Sequence, residues 1–324
     1  MSGRAALAGL ALLAPLLLLL CGPARAASCN VSVESLNFGA VDTLYGQAVD
    51  TAGTVAVDCD QVSDSATSVT VCVHIGAGSG GAGNGQRHMR TASGAALAYQ
   101  IYADPAHSVG WGSSDNSALG RPQAVVMPAA NGRASGRMTL YARAFAGQPN
   151  AVAGAYGSSF SGLDAFYLAA EGDSLDCLAT FGSSFPLTFE ARAVVPENCL
   201  VETSDIAFGH HGLIESPIDA VGGIGITCTL GTPYTVSLSG GLSGASDPER
   251  RIMRSGANEV RYGIYQDAGR SQPWGDAAGT LATGTGTGQR VSAPVYGRVP
   301  PQRAAPGTYT DTLSVTITYE DPGS

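Results

Sequence analysis

Phe185 to Val195 reads FPLTFEARAVV, and the role given to this stretch decides the fold. Phe185, Leu187, Phe189, Ala191, Ala193 and Val195 fall on one face of an extended chain and Pro186, Thr188, Glu190 and Arg192 on the other, the period of two that a half-buried strand requires. Val194 alone breaks the alternation. The stretch lies between two halves of the sequence that resemble each other, so it either closes the first half as a strand or only links the two.

The likeness between the halves is a series of landmarks in one order. Cys29 answers Cys199, Phe38-Gly39 answers Phe208-Gly209, and GTVAVDC ending at Cys59 answers GGIGITC ending at Cys228. RHMR (Arg87 to Arg90) matches RIMR (Arg251 to Arg254), LAYQIYAD (Leu97 to Asp104) matches VRYGIYQD (Val260 to Asp267), and GWG around Trp111 matches PWG around Trp274. LYAR (Leu140 to Arg143) matches VYGR (Val295 to Arg298), and AGAY ending at Tyr156 matches PGTY ending at Tyr309. Residues shared by both copies belong to the scaffold, which assigns Trp111, Trp274, Tyr99 and Tyr262 to the cores. Short strands between turn-rich segments make an all-β chain of two immunoglobulin-like β-sandwiches in tandem. Their expected extents are residues 28–196 and 197–324.

Met1 to Ala27 has the form of an export signal: Arg4, an apolar run from Ala5 to Leu20 broken by Pro15, then Ala24-Arg25-Ala26 before the cut. Of the 7 cysteines, Cys21 leaves with it, and an even set remains for disulfides, as suits an exported chain. Cys29 with Cys59 and Cys199 with Cys228 each tie a first strand to a second, at roughly 3–4 kcal/mol for loops of about 30 residues. Cys72 and Cys177 remain for a third bridge, found only in the first copy. Without Arg4 and Arg25 the chain has 15 basic against 26 acidic residues, a balance that disfavours nucleic acid as a partner.

The copies differ at their ends. The second closes on GTYTDTLSVTITY, Gly307 to Tyr319, with Leu313, Val315, Ile317 and Tyr319 on one face. The first runs on past Tyr156, through Tyr167 and Cys177, to the strand at Phe185 to Val195. A missing strand with about four large apolar residues forfeits roughly 6–12 kcal/mol, comparable to a whole domain's stability. The second sandwich is therefore expected to lack its last strand and to accept one from another chain along an apolar edge, with Leu313, Val315, Ile317 and Tyr319 as acceptor residues.

These motifs resemble the spore coat protein U domain family, to which subunits of archaic, Csu-type chaperone-usher pili belong. FG after the first Cys, R-x-M-R, Y-x-I-Y-x-D, the WG pair, Y-x-R and the closing GTYTDTLSVTITY carry the resemblance, twice over. It implies pilin domains that lack a final strand, a periplasmic chaperone that fills the gap, an outer-membrane usher, and an adjacent pilin subunit that donates the strand. Cleavage after Ala27 would leave too little before Cys29 to donate in turn, which places the chain at a fibre end, on the cell surface, as a tip adhesin serving attachment and biofilm formation. A secreted coat or matrix protein and a carbohydrate-binding tip lectin are the alternatives.

No catalytic constellation is visible. Gly76 to Gly81 matches G-x-G-x-x-G formally, but NGQRHMR and another strand follow where a dinucleotide site needs a helix. The histidines, His74, His88, His107, His210 and His211, have no metal-ligand spacing, and Asp164, Asp173 and Asp176 lack that of a calcium loop. Neither enzyme, cofactor nor metal is expected. Attachment to an abiotic or host surface falls to loops peculiar to the first copy. The apolar run Val125-Val126-Met127 leads, since the resemblance implies hydrophobic finger-like loops; Phe145 with Gly147 to Val152 comes second and Gly76 to Gly85 third.

Overall fold

The computed structural model describes residues 27–178 and 183–319. The export segment, Ala27 apart, lies outside the described residues. The first sandwich contains β1 (Ser28–Val33), β2 (Leu36–Ala40), β3 (Val49–Asp60), β4 (Ser68–Ile75), β5 (Ala82–Gly83), β6 (Gln86–Arg90) and β7 (Ala96–Tyr102). It continues with β8 (Gln123–Pro128), β9 (Arg133–Ala144), β10 (Gly154–Phe160), β11 (Ala165–Glu171), β12 (Phe185–Pro186) and β13 (Phe189–Val195). The second contains β14 (Cys199–Ser204), β15 (Ile218–Cys228), β16 (Pro233–Leu238), β17 (Arg251–Ser255), β18 (Asn258–Tyr265), β19 (Ala282–Thr285), β20 (Arg290–Val299) and β21 (Val315–Tyr319).

In the first sandwich one sheet runs β1-β3-β9-β7-β6-β10-β13-β2, with β5 beside β6, and the other runs β12-β11-β4-β8. In the second, the orders are β14-β15-β20-β18-β17 and β19-β16-β21. The paired sequence landmarks fall on corresponding strands. Trp111 and Trp274, both fully buried, donate their indole N–H to the Val73 and Val236 carbonyls, each at 3.0 Å. Tyr156 and Tyr309 donate their hydroxyls to the carbonyl four residues upstream, at 2.8 and 2.7 Å, the corner expected of such sandwiches. Gly39 and Gly209 of the two FG pairs have φ of 66° and 81°, a left-handed conformation that glycine adopts without strain.

The first arginine of R-x-M-R is buried in both copies. Arg87 donates Nε to the Gly76 carbonyl at 2.7 Å and Nη2 to those of Ile75 and Trp111, also at 2.7 Å, while Nη1 meets Gln100 Oε1. Arg251 makes the corresponding fork to the carbonyls of Ser239, Leu238 and Trp274. A planar, permanently charged donor set satisfies several buried acceptors where the two sheets approach.

Disulfides join Cys29 to Cys59, Cys199 to Cys228, and Cys72 to Cys177. The last staples a layer with no counterpart in the second sandwich. Cys72, Phe166 and Leu168 form a small cluster separate from the main core, covered by Leu175 and Cys177. His74 stacks on Phe166 with ring centroids 4.3 Å apart. The matching positions by register are Thr235, Thr316, Thr318 and Ser237, a polar outer face.

Candidate functional site

Residues 185–195 form two strands rather than one. Phe185 and Pro186 pair with Tyr167 and Phe166 of β11; the chain then crosses, Leu187 donating its N–H to the Ala165 carbonyl at 2.8 Å, and enters the opposite sheet as β13. There it runs antiparallel to β10, from Phe160↔Phe189 to Gly154↔Val195, and parallel to β2 on its other side. Its alternation produces the burial: Leu187, Phe189, Ala191, Ala193 and Val195 are at most 4% exposed, whereas Val194 is 50% exposed. Phe189 stacks on Phe160 with centroids 4.3 Å apart and parallel rings. Phe185 shares the inward face of its partner Tyr167, on which its ring stacks, but lies at the rim and is 45% exposed.

Among the described residues, the second sandwich has the surroundings of this strand without the strand. Its larger sheet ends at β17, beyond which Thr310 makes a lone bridge to Arg254, the counterpart of the Gly157–Arg90 pair. Among the described residues no strand pairs along the outer side of Gly307 to Leu313, and neither that stretch nor the one around Phe208 is a regular strand, although their counterparts β10 and β2 are. β10 and β2 are held straight by β13 between them. Core positions report the same vacancy. Val31, Leu36, Phe38, Tyr156 and Phe160 are 1–8% exposed in the first sandwich. Val201 stands 44% exposed, and Ile206, Phe208, Tyr309 and Leu313 are only half-buried.

The residues expected to accept a strand fall in two places. Leu313 lies on the open edge. Val315, Ile317 and Tyr319 lie on β21, paired with Leu238, Val236 and Tyr234 of β16 in the opposite sheet, so they floor the groove and their remaining edge corresponds to the one that β12 takes on β11. Ile206, Phe208, Tyr309 and Val201 were missed by reading alternation alone, although the Phe38-Gly39 and Phe208-Gly209 correspondence and the paired Tyr156 and Tyr309 pointed to two of them. One polar group marks the groove: Tyr262 donates to Asp311 Oδ2 at 2.6 Å, and Asp311 Oδ1 accepts the Leu242 N–H at 2.8 Å. Burial, reinforced by the Asp311 carboxylate, pushes the Tyr262 phenol well above its ordinary pKa.

The stretches expected to form attachment loops are placed differently. Val125, Val126 and Met127 belong to strand β8, paired with Val71, Thr70 and Val69, because their alternation gives the run a buried side. Met127 sits in the core, Val125 packs against it, and only Val126 faces outward. Val152 bridges to Leu230 of the second sandwich, so the loop carrying it faces the junction. Asn198 Nδ2 donates to Asp42 Oδ2 there at 3.3 Å. Phe145 is half-buried, and its backbone N–H donates to the Ala98 carbonyl at 3.3 Å. Gly76 to Gly85 is tied down by Gly76 N–H to Asp164 O at 2.6 Å and Ser79 N–H to Ser159 O at 2.8 Å. Among the described residues no cluster of His, Cys, Asp and Glu could hold a metal ion.

The model of the Spore Coat Protein U domain matches residues 16–161 and again 186–316. The chain belongs to that family. One match falls on each sandwich, and the second begins at Pro186, so it takes in β13 ahead of the strands of the second sandwich. Among solved structures, the chaperone–tip adhesion subunit pre-assembly complex CsuC–CsuE, from archaic chaperone-usher Csu pili of Acinetobacter baumannii, contains a similar chain. It is 18% identical, with 90% of this chain and 99% of that chain covered and a TM-score of 0.50, a likeness of fold. The CupB6 tip adhesin from Pseudomonas aeruginosa is 12% identical over 90% of this chain and 94% of that one, with a TM-score of 0.39. No curated protein matches the sequence.

Proposed function

We propose that this protein is the tip subunit of a chaperone-usher pilus, exported to the periplasm and then displayed on the cell surface at the end of the fibre, where its first sandwich attaches to surfaces. One observation carries the reading: among the described residues, no strand of the second sandwich takes the position that β13 fills in the first. An adjacent pilin subunit supplies the missing strand, lying antiparallel to Gly307–Leu313 and parallel to the stretch at Phe208, as β13 lies on β10 and β2. A periplasmic chaperone covers the groove before an outer-membrane usher mediates the exchange. Two further facts support the assignment. The fold is similar to that of a chain in a chaperone–tip subunit complex, and Ser28, at the start of β1, is already paired with Asp60 inside its own sheet. Attachment belongs to residues 28–196 and joining to residues 197–324, and of the apolar run on β8 only Val126 is available for contact.

The test is expression of the full mature chain in the periplasm without a chaperone, with and without a copy of FPLTFEARAVV fused beyond Tyr319. The plain chain is expected to be degraded or aggregated, and the fused one to be a soluble monomer. A plain chain whose second sandwich is soluble, monomeric and cooperatively folded with no added strand refutes the reading.

A further inference from the structure

A shallow depression of about 480 Å³ lies on the first sandwich. That volume is within the roughly 300–1,000 Å³ of small-molecule sites. Asn84 and Gln86, Tyr102, the Ser117–Leu119 turn and Phe145 surround it, and none of its lining residues is charged, in a chain whose formal net charge is −9. The absence of charge disfavours ionic ligands. Among the described residues, the side chains of Asn84, Gln86 and Ser117 and the Tyr102 hydroxyl have no hydrogen-bond partner, while Gln100 at the base is fixed by the Arg87 fork and by the Gly85 carbonyl at 2.8 Å. The site therefore has a rigid floor and uncommitted amides and hydroxyls that both donate and accept.

The walls are additions to the scaffold. The Gly112 N–H donates to the Arg121 carbonyl at 2.9 Å and closes one side, and the equivalent bond in the second copy joins Gly275 to Thr280 at 3.1 Å. The first pair is nine residues apart and the second five, so the first copy inserts four residues, and the insertion holds the Ser117–Leu119 turn. Gly120 within it has φ of 122° and lies so near Gly110 that a Cβ would overlap the Gly110 carbonyl, which fixes the wall in place. In the second copy Gly263 replaces Gln100, the Tyr265 ring occupies the space beside it, and the Tyr265 hydroxyl is spent on Glu249 at 3.2 Å. A peptide is disfavoured as occupant because β6 and β7 are interior strands, flanked by β10 and β9, and offer no free backbone edge.

We propose that the depression binds one residue of a neutral saccharide, with Asn84, Gln86, Tyr102 and Ser117 as hydrogen-bonding groups and the Phe145 ring as the stacking face for its C–H side. Such a ligand offers hydroxyls that donate and accept together with an apolar ring face, the chemistry that the uncharged polar lining and the Phe145 ring suit. The site is in the first sandwich and does not depend on how the second is completed.

The experiment uses the full mature chain in complex with its chaperone, titrated calorimetrically with glucose, galactose, mannose, N-acetylglucosamine and cellobiose at millimolar concentrations. At least one is expected to bind saturably. Asn84→Gly with Gln86→Ala, which keeps the left-handed backbone at residue 84, is expected to weaken it roughly tenfold or more, and Phe145→Ala likewise, with thermal unfolding unchanged for the first pair. Leu163→Ser, an exposed change elsewhere on the first sandwich, is the control that leaves binding intact. Absence of binding by every sugar overturns the proposal, as does binding that the Asn84, Gln86 and Phe145 substitutions leave unchanged. Capture of an apolar surface through the same residues with no sugar bound also overturns it.

Discussion

Phe189→Ala tests whether the first sandwich is completed by its own chain. Phe189 is buried and stacked on Phe160, and it enters the core from a strand flanked by β10 on one side and by β2, distant in sequence, on the other. Truncating a buried phenylalanine costs about 3–5 kcal/mol. With an m-value of about 2 kcal/mol/M, the urea midpoint should fall by roughly 1.5–2.5 M. Each sandwich holds one buried tryptophan, so in the chain with FPLTFEARAVV fused beyond Tyr319 the fluorescence of a Trp274→Phe background, in which Trp111 is the sole tryptophan, reports the first sandwich alone. Val194→Ala, on the outward face of the same strand, is the control and should change stability by less than about 0.5 kcal/mol. If Phe189→Ala moves the Trp111 transition no more than Val194→Ala does, β13 is not part of that core and the argument for self-completion fails.

Replacing Cys72 and Cys177 together by Ser opens a loop of sequence separation 105 and should cost the first sandwich about 2–4 kcal/mol, seen in the chain with FPLTFEARAVV fused beyond Tyr319 as a lower thermal midpoint with the Trp274 transition unmoved. His74 gives a pH dependence. Burial lowers its pKa from 6.5 to about 4, so the folded ring stays neutral where the unfolded one is protonated. The unfolded chain then binds more protons between those values: the stability contribution is fully present above about 6.5 and is lost as pH falls toward 4. Urea titrations across that window should show the decline in the native chain and a flatter profile in His74→Phe; equal slopes would refute it.

The scaffold was legible because the chain contains it twice. A residue type that recurs at the same place in two diverged copies, such as Trp111 and Trp274 or Tyr156 and Tyr309, is there for a bond that both sandwiches make. Alternation was a weaker guide to which sheet a residue serves. It runs on from Phe185 into β13 although the chain changes sheets at Leu187, because both inner faces of a sandwich select the same apolar types. The same ambiguity joined Leu313 to Val315, Ile317 and Tyr319, when only Leu313 is on the open edge. Val125 to Met127 misled as an apolar run because an edge strand keeps one side in the core; its counterpart around Ala282 is a strand too, which the repeat could have revealed. The role of Arg87 was hidden altogether, since a charge in a sequence carries no sign of burial and recurrence is no guide either: Arg90 and Arg254 of the same motif recur and are exposed.

The two copies place one interaction under different rules of mass action. In the first, Leu187, Phe189 and Val195 bury three large side chains, worth roughly 1.5–3 kcal/mol each, from a strand tethered to the domain it completes. That contribution is intramolecular and independent of concentration. In the second, on the proposed function, the corresponding gain would arrive with a separate strand, and its value would be RT ln(1 + [L]/Kd) for whatever occupied the groove. Since the sum for such a strand approaches a whole domain's stability, the proposed function requires the second sandwich to be folded to the extent that it is occupied. On the proposed function, the chain carries its own closing strand at one end and depends on a partner for it at the other, so the same missing strand that weakens the second sandwich alone would make its assembly conditional on the correct strand.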